Sequence, residues 1–149
     1  MSISRINALS RQSSITSLVI KTDDFDPTAL LTRLAPLAPG LDTLDISLRD
    51  VPGAAGDFLK GCTHLKHLKT GNLPLNYVNH VAASLASWTV NYIDYNQVST
   101  LVGVLETGSI ATAKLEKLVV EHCSIRTSLR WVELVKMCKE KKIELIVQN

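Results

Sequence analysis

The sequence predicts an α/β solenoid, with a curved parallel sheet lining a concave side and helices on the convex side. Three observations predict it. Aliphatic residues recur with one spacing, in runs that start near residues 15, 41, 65, 90, 115 and 143. Helix signals follow each run except the last. The composition is aliphatic rather than aromatic: 46% of the 149 residues are hydrophobic and only 5% aromatic, which suits stacked layers of Leu, Val, Ile and Ala. Successive starts differ by 26, 24, 25, 25 and 28 residues. Those intervals match the roughly 20–29 residues of one strand-plus-helix repeat. A single repeat cannot bury its apolar face, so the repeats must stack.

The elements follow in order. The first run is Ile15, Leu18, Ile20 and Asp23, ending on Phe25. Asp26 then suits a helix N-cap and Pro27 the first helical position. Leu30, Leu34 and Leu37 share a helix face until Pro39 and Gly40 end it. The second run is Leu41, Leu44 and Ile46, continuing to Val51, and Phe58 and Leu59 mark a short helix that stops at Gly61. The third is Leu65, Leu68 and Thr70, continuing to Leu73 and Leu75. Asn76 suits a cap there, with Val78, Val81, Ala82 and Leu85 on one helix face. The fourth and weakest run is Val90, Ile93 and Tyr95, continuing to Val98. Leu101, Val104 and Leu105 then share a face before Gly108. The fifth is Leu115, Leu118, Val120, Cys123 and Ile125. Thr127 or Ser128 suits the cap of its helix, which carries Trp131, Leu134, Val135 and Cys138 on one face. Lys139, Lys141 and Lys142 end that helix, where positive charge complements the dipole. A last short strand starts at Ile143 and includes Ile146. The expected organisation is one repeat domain over 15–149, preceded by a flexible or capping segment, 1–14.

The spacing of Leu115, Leu118, Val120, Cys123 and Ile125 is L-x-x-L-x-L-x-x-C-x-L, the signature of a leucine-rich repeat. The chain resembles the ribonuclease-inhibitor-like superfamily of such proteins. Its C-terminal part, from Leu115 through Trp131 to Val147, resembles the repeat region of fungal F-box proteins. The 14 residues that precede Ile15 are too few for an F-box, so the sequence is expected to be the repeat half of such a protein, a truncated product or a free-standing repeat protein. The resemblance implies a protein-binding scaffold, of the kind that recognises substrates for an F-box-type ubiquitin-ligase receptor. It also implies that the Asn/Cys slot hydrogen-bonds the turn after each strand. Cys123 and Asp23 suit that slot. Arg49, Leu73 and Val98 do not, so turns two to four are expected to be less regular. The competing fold is a doubly wound sheet, which would usually carry a Gly-rich strand-to-helix loop. Neither G-x-G-x-x-G nor G-x-x-x-x-G-K-[ST] is present.

Charge and cysteine content narrow the function classes. Lys and Arg total 16 against 14 Asp and Glu, a net charge of +2 with both signs scattered. That is not the basic stripe of a nucleic-acid binder. Three widely spaced cysteines, Cys62, Cys123 and Cys138, fit no disulfide framework. They point to a reducing, intracellular location, cytoplasmic or nuclear. The uncharged stretch from Thr70 to Ile93 contains Asn72, Asn76, Asn79, His80 and Asn91, too polar for a membrane span. The N-terminal segment lacks the pattern of a signal peptide.

Little in the sequence points to catalysis. Cys62, His64 and His67 are the nearest approach to a metal cluster, but no second ligand pair accompanies them. Cys123 beside His122 invites a nucleophile assignment, yet Cys123 is expected to serve the turn. The run Lys136, Lys139, Lys141 and Lys142 reads as a solvated helix end, with a phosphate- or nucleic-acid-binding role as the alternative. No cofactor, metal site or enzymatic activity is expected.

The expected binding surface is the concave one, because strand side chains alternate faces. One row across the sheet is then Val19, Asp45, Lys69, Asp94 and Val119. The next is Lys21, Ser47, Gly71, Asn96 and Glu121. Asp45, Lys69 and Asp94 could form a cross-strand ion ladder. This ladder either merely solvates the sheet or belongs to a face that takes a protein or peptide, with His67 and Tyr92 as anchors. A third expectation is self-association, or docking on a longer solenoid, through exposed edge strands.

Overall fold

The structure is a computed structural model, and it describes residues 15–22, 27–48, 53–71, 73–123 and 128–148. Six strands form one parallel sheet: β1 (Ser17–Thr22), β2 (Thr43–Leu48), β3 (His67–Thr70), β4 (Ser87–Ile93), β5 (Lys117–Cys123) and β6 (Glu144–Val147). Each strand pairs with the next in sequence, in the order β1-β2-β3-β4-β5-β6. Four α-helices lie in the described connections: α1 (Pro27–Leu34), α2 (Gly53–Gly61), α3 (Tyr95–Thr107) and α4 (Leu129–Glu140). Three 3-10 helices supplement them, at Ala35–Gly40, Leu75–His80 and Ile110–Thr112. The segment 1–14, Asp23, Asp26 and Arg49 lie outside the described residues.

Alternation along the strands makes the core. Leu44, Leu68, Trp88, Leu118 and Leu145 occupy one row across five strands, and Ile46, Thr70, Val90, Val120 and Val147 the next. These side chains and the apolar helix residues form a single cluster, so the helical segments cover one face of the sheet. The only polar member of the two rows is Thr70, and it is buried with a partner. The indole Nε1–H of Trp88 donates to its hydroxyl at 3.1 Å. That bond removes the cost of burying both polar groups.

A second ladder precedes the strands. The carbonyl of Thr16 accepts from the N–H groups of Asp42 and Thr43. Asp42 accepts from Lys66 and His67, Lys66 from Ala86 and Ser87, and Ala86 from Glu116 and Lys117. This pattern places Leu85 in line with Leu41, Leu65 and Leu115, all of them buried.

The register corrects the fourth unit of the sequence analysis. The strand starts at Ser87, and its repeat at Leu85 rather than Val90. Trp88 stands where the other units carry Leu, and Leu85, Trp88, Val90 and Ile93 reproduce the spacing. Leu85 therefore does not share a helix face with Val78. The slot paired with Cys123 is Ile93, not Val98, which lies inside α3. The sixth unit shifts by one residue: Leu145, not Ile146, pairs with Leu118. Val135 of α4 is exposed rather than in the core.

Local signals account for the helices. Pro27 opens α1. Asp94 accepts from Gln97 N–H at 2.9 Å, and Gln97 returns a bond to Asp94 N–H at 3.0 Å, a complete capping box for α3. Gly108 ends α3 at φ 63°, in the left-handed region that glycine tolerates best. Ser128 caps α4 by accepting from Trp131 N–H. The third unit has no α-helix among its described residues. From His67 to Ser87 there are only 20 residues, and a 3-10 helix rises about 2.0 Å per residue against 1.5 Å. Leu75–His80 therefore covers the return distance with fewer residues than an α-helix would need. No helix among the described residues is long and apolar enough to cross a membrane.

Candidate functional site

The face of the sheet away from the core carries polar and charged side chains, with Val19, Val119 and Ile146 among them. Strand alternation sets three rows there. The first is Ser17, Thr43, His67, Ser87, Lys117 and Glu144. The second is Val19, Asp45, Lys69, Thr89, Val119 and Ile146. The third begins Lys21, Ser47, and Gly71 continues it just beyond β3, where its N–H donates to the Ile46 carbonyl. Asn91 and Glu121 extend that row by the same alternation on β4 and β5.

Five of the eight expected site residues lie in these rows: Lys21, Asp45, His67, Lys69 and Glu121; Tyr92, next to Asn91 near the end of β4, is exposed and borders a hollow beside them. Asp94 and Asn96 lie outside the rows. Asp94 follows β4 and caps α3, and Asn96 is an exposed residue of α3. The shift of the fourth unit is the cause: Thr89 stands in the row assigned to Asp94, and Asn91 in the row assigned to Asn96. The expected Asp45–Lys69–Asp94 ladder is accordingly replaced. Lys69 does pair in register with Asp45. Its ammonium, however, reaches across β4 to Glu121 on β5, with Nζ 2.6 Å from Oε1. The crossing is open because Thr89 and Asn91 are short. Hydrogen bonding to Glu121 raises the Lys69 pKa above its ordinary value; partial burial opposes this, and the charges of Glu121 and Asp45 add to it.

His67 shares a 2.8 Å hydrogen bond between Nδ1 and Ser87 Oγ, which fixes its ring on the neighbouring strand. Tyr92 pairs in register with His122, not with the first row, and is 50% exposed. Two hollows adjoin along this face. One, of about 290 Å³, has Lys21, Asp45, Lys69 and Glu121 around Ser47, Gly71 and Asn91. The other, of about 330 Å³, is bounded by Leu73, Pro74, Tyr92 and Gln97. Gly71 and Asn91 belong to both. A larger residue than glycine would have to displace Ser47 at that junction. A β-carbon on Gly71 would lie 2.6 Å from both Cβ and Oγ of Ser47.

Asn91, Thr89 and Pro74 are the members that sequence reasoning missed. Accepting Trp88 in a Leu position would have found the first two. The cysteines are a separate matter. Cys62 and Cys138 are buried, and burial pushes their thiols up to about 12 and about 11. Cys123 is half-buried. Among the described residues no group of three or more His, Cys, Asp or Glu could hold a metal ion. Compared with protein-family models and with curated proteins, the chain matches none.

Proposed function

We propose that this chain is a leucine-rich-repeat solenoid and that it serves as a non-enzymatic protein-interaction module. The partner, a protein or peptide, lies across the polar sheet face, which is the concave side of the horseshoe. The in-register rows of Leu, Ile and Val, with one unit following another along the sheet, support the repeat assignment. The observation that carries the binding role is the pair of adjoining hollows meeting at Gly71 and Asn91. A charged hollow beside one bounded by Tyr92 and Pro74 suits a polypeptide with a polar or charged side chain next to an apolar one. Tyr92 supplies rigid contact area at low entropic cost. The Lys69–Glu121 pair holds a cation and an anion in place for complementary charges. The resemblance to F-box repeat regions adds ubiquitin-ligase substrates as a partner class.

The test is affinity purification with mass spectrometry on wild type and on a Tyr92→Ala/Lys69→Glu variant. Arg130→Ala, on the helix layer, is the control. Circular dichroism confirms that all three are folded. Partners are expected to be lost from the face variant, through a fall in affinity of about ten-fold or more, and kept by the control. A partner set unchanged by the face variant would sink the proposal.

A further inference from the structure

The charged hollow holds two cations and two carboxylates, Lys21, Lys69, Asp45 and Glu121, and they do not pair off evenly. Lys69 stands in register with Asp45, yet its ammonium is 2.6 Å from Glu121, two strands further on. Asp45 is thereby left without its nearest cation. Lys21 does not replace it, because neither Lys21 nor Asp45 forms a salt bridge among the described residues. Lys21 is in register with Ser47, and Asp45 precedes Ser47 by two residues on the same face of β2. A strand spacing of about 4.8 Å and a rise of about 3.3 Å per residue put the Cα atoms of Lys21 and Asp45 about 8 Å apart. Asp45 is half-buried and Lys21 exposed. Beside them the floor is low, since Ser47 is small and Gly71 has no side chain.

On the proposed reading of the sheet face as a polypeptide site, we infer that the partner meets this hollow with one acidic and one basic side chain, the acid on Lys21 and the base on Asp45. A segment with acids alone would suit Lys21 and be repelled by Asp45, and one with bases alone would do the reverse. An uncharged segment would strip water from the half-buried Asp45 carboxylate and return nothing. Side chains two residues apart in an extended segment stand about 6.6 Å apart on one side, and those three or four apart in a helix about 5–6 Å. The acid and the base therefore lie close together in the partner's sequence. Lys69 and Glu121 serve the site by holding each other. Without Glu121, the Lys69 ammonium would return to Asp45, whose charge it already feels, and would occupy the place of the incoming base.

The test is phage display of random twelve-residue peptides on the 149-residue chain, followed by fluorescence polarisation of labelled enriched peptides. Enriched peptides are expected to carry both an acidic and a basic residue, at most about four positions apart. Asp45→Asn and Lys21→Gln should each raise their dissociation constants about ten-fold. The effects should be coupled: after the peptide's basic residue is changed to Met, Asp45→Asn should cost nothing further. Glu121→Gln should weaken binding, and Lys69→Met added to it should restore it. All four positions lie on the sheet surface, and circular dichroism confirms that each variant is folded. Enriched peptides of one charge sign, or peptides indifferent to both Asp45→Asn and Lys21→Gln, would overturn the inference. Peptides lost on Tyr92→Ala but indifferent to those two would overturn it while leaving the proposed partner face standing. A selection that enriches no peptide would overturn it as well, and affinity purification alone would then decide the partner face.

Discussion

The third and fourth units sit side by side and solve one problem in opposite ways. From His67 to Ser87 the chain has 20 residues, and from Ser87 to Lys117 it has 30. The short unit returns through the 3-10 helix Leu75–His80 and buries Leu75 and Val78. The long one returns through α3, 13 residues with its own capping box and glycine stop, followed by another 3-10 turn. Yet β3, β4 and β5 stay in register. The strand layer is fixed by backbone hydrogen bonds and alternation, where a one-residue slip would turn the core rows to water. The helix layer contacts its neighbours through side chains and absorbs the ten-residue difference.

The largest expected effect is at the joint between the two units. Trp88→Ala should destabilise the fold by about 3–5 kcal/mol in urea unfolding, because it empties a fully buried site. Trp88→Phe keeps a smaller aromatic ring but loses both the N–H that Thr70 accepts and part of the buried volume, and should cost less than Trp88→Ala, about 1–3 kcal/mol. If Trp88→Ala proved as mild as an exposed substitution, the register of the fourth unit would be wrong.

Gly71→Ala tests the short unit. The new methyl meets Ser47, so a loss of about 1–3 kcal/mol is expected. Combining it with Ser47→Gly should recover part of that loss, and a double-mutant cycle measures the coupling. Strict additivity would show that the two do not collide.

Asp94→Ala tests the long unit, with an expected cost of about 1 kcal/mol. Hydrogen exchange should localise the effect to the first turn of α3 and leave Leu75–His80 unchanged. A uniform loss of protection would mean that the helix layer is not modular.

The smallest effect is the ion pair that spans β4. Lys69→Met should lower stability by at most about 1 kcal/mol near neutral pH, as both groups are partly exposed. The Lys69 pKa is raised in the folded state, so its contribution is complete below the ordinary 10.5. It is lost as pH climbs through the raised value. The gap between wild type and Lys69→Met should therefore close at strongly alkaline pH, measured by urea titration at each pH. A gap that persisted would assign the effect to side-chain contacts rather than charge.

The same pair of units shows why the sequence was legible in one place and misleading in another. Leu65 and Leu115 are 50 residues apart, and Val90 divides that distance evenly. Val90, Ile93 and Tyr95 also satisfy L-x-x-L-x-L if Tyr is admitted. The even division was a coincidence of a short unit beside a long one. It moved Asp94 and Asn96 onto the binding face and hid Thr89 and Asn91. Lys21, Asp45, Lys69 and Glu121 were legible because their strands obey the spacing. That Lys69 would bridge to Glu121 was not, since it depends on how small the intervening side chains are.

The amino-acid sequence alone determined the alternation of strands and helical segments, most of the core rows, the helix start at Pro27 and the helix stop at Gly108, and it narrowed the cap of α4 to Thr127 or Ser128. These are local properties, set by periodicity and backbone preference within a few residues. Tertiary structure alone decided where the fourth unit begins, which return is a 3-10 helix, and that Gly71 and Asn91 join two hollows. Those depend on hydrogen bonds and contacts between strands 20 to 30 residues apart, where the pairing of one backbone with the next outweighs any local pattern.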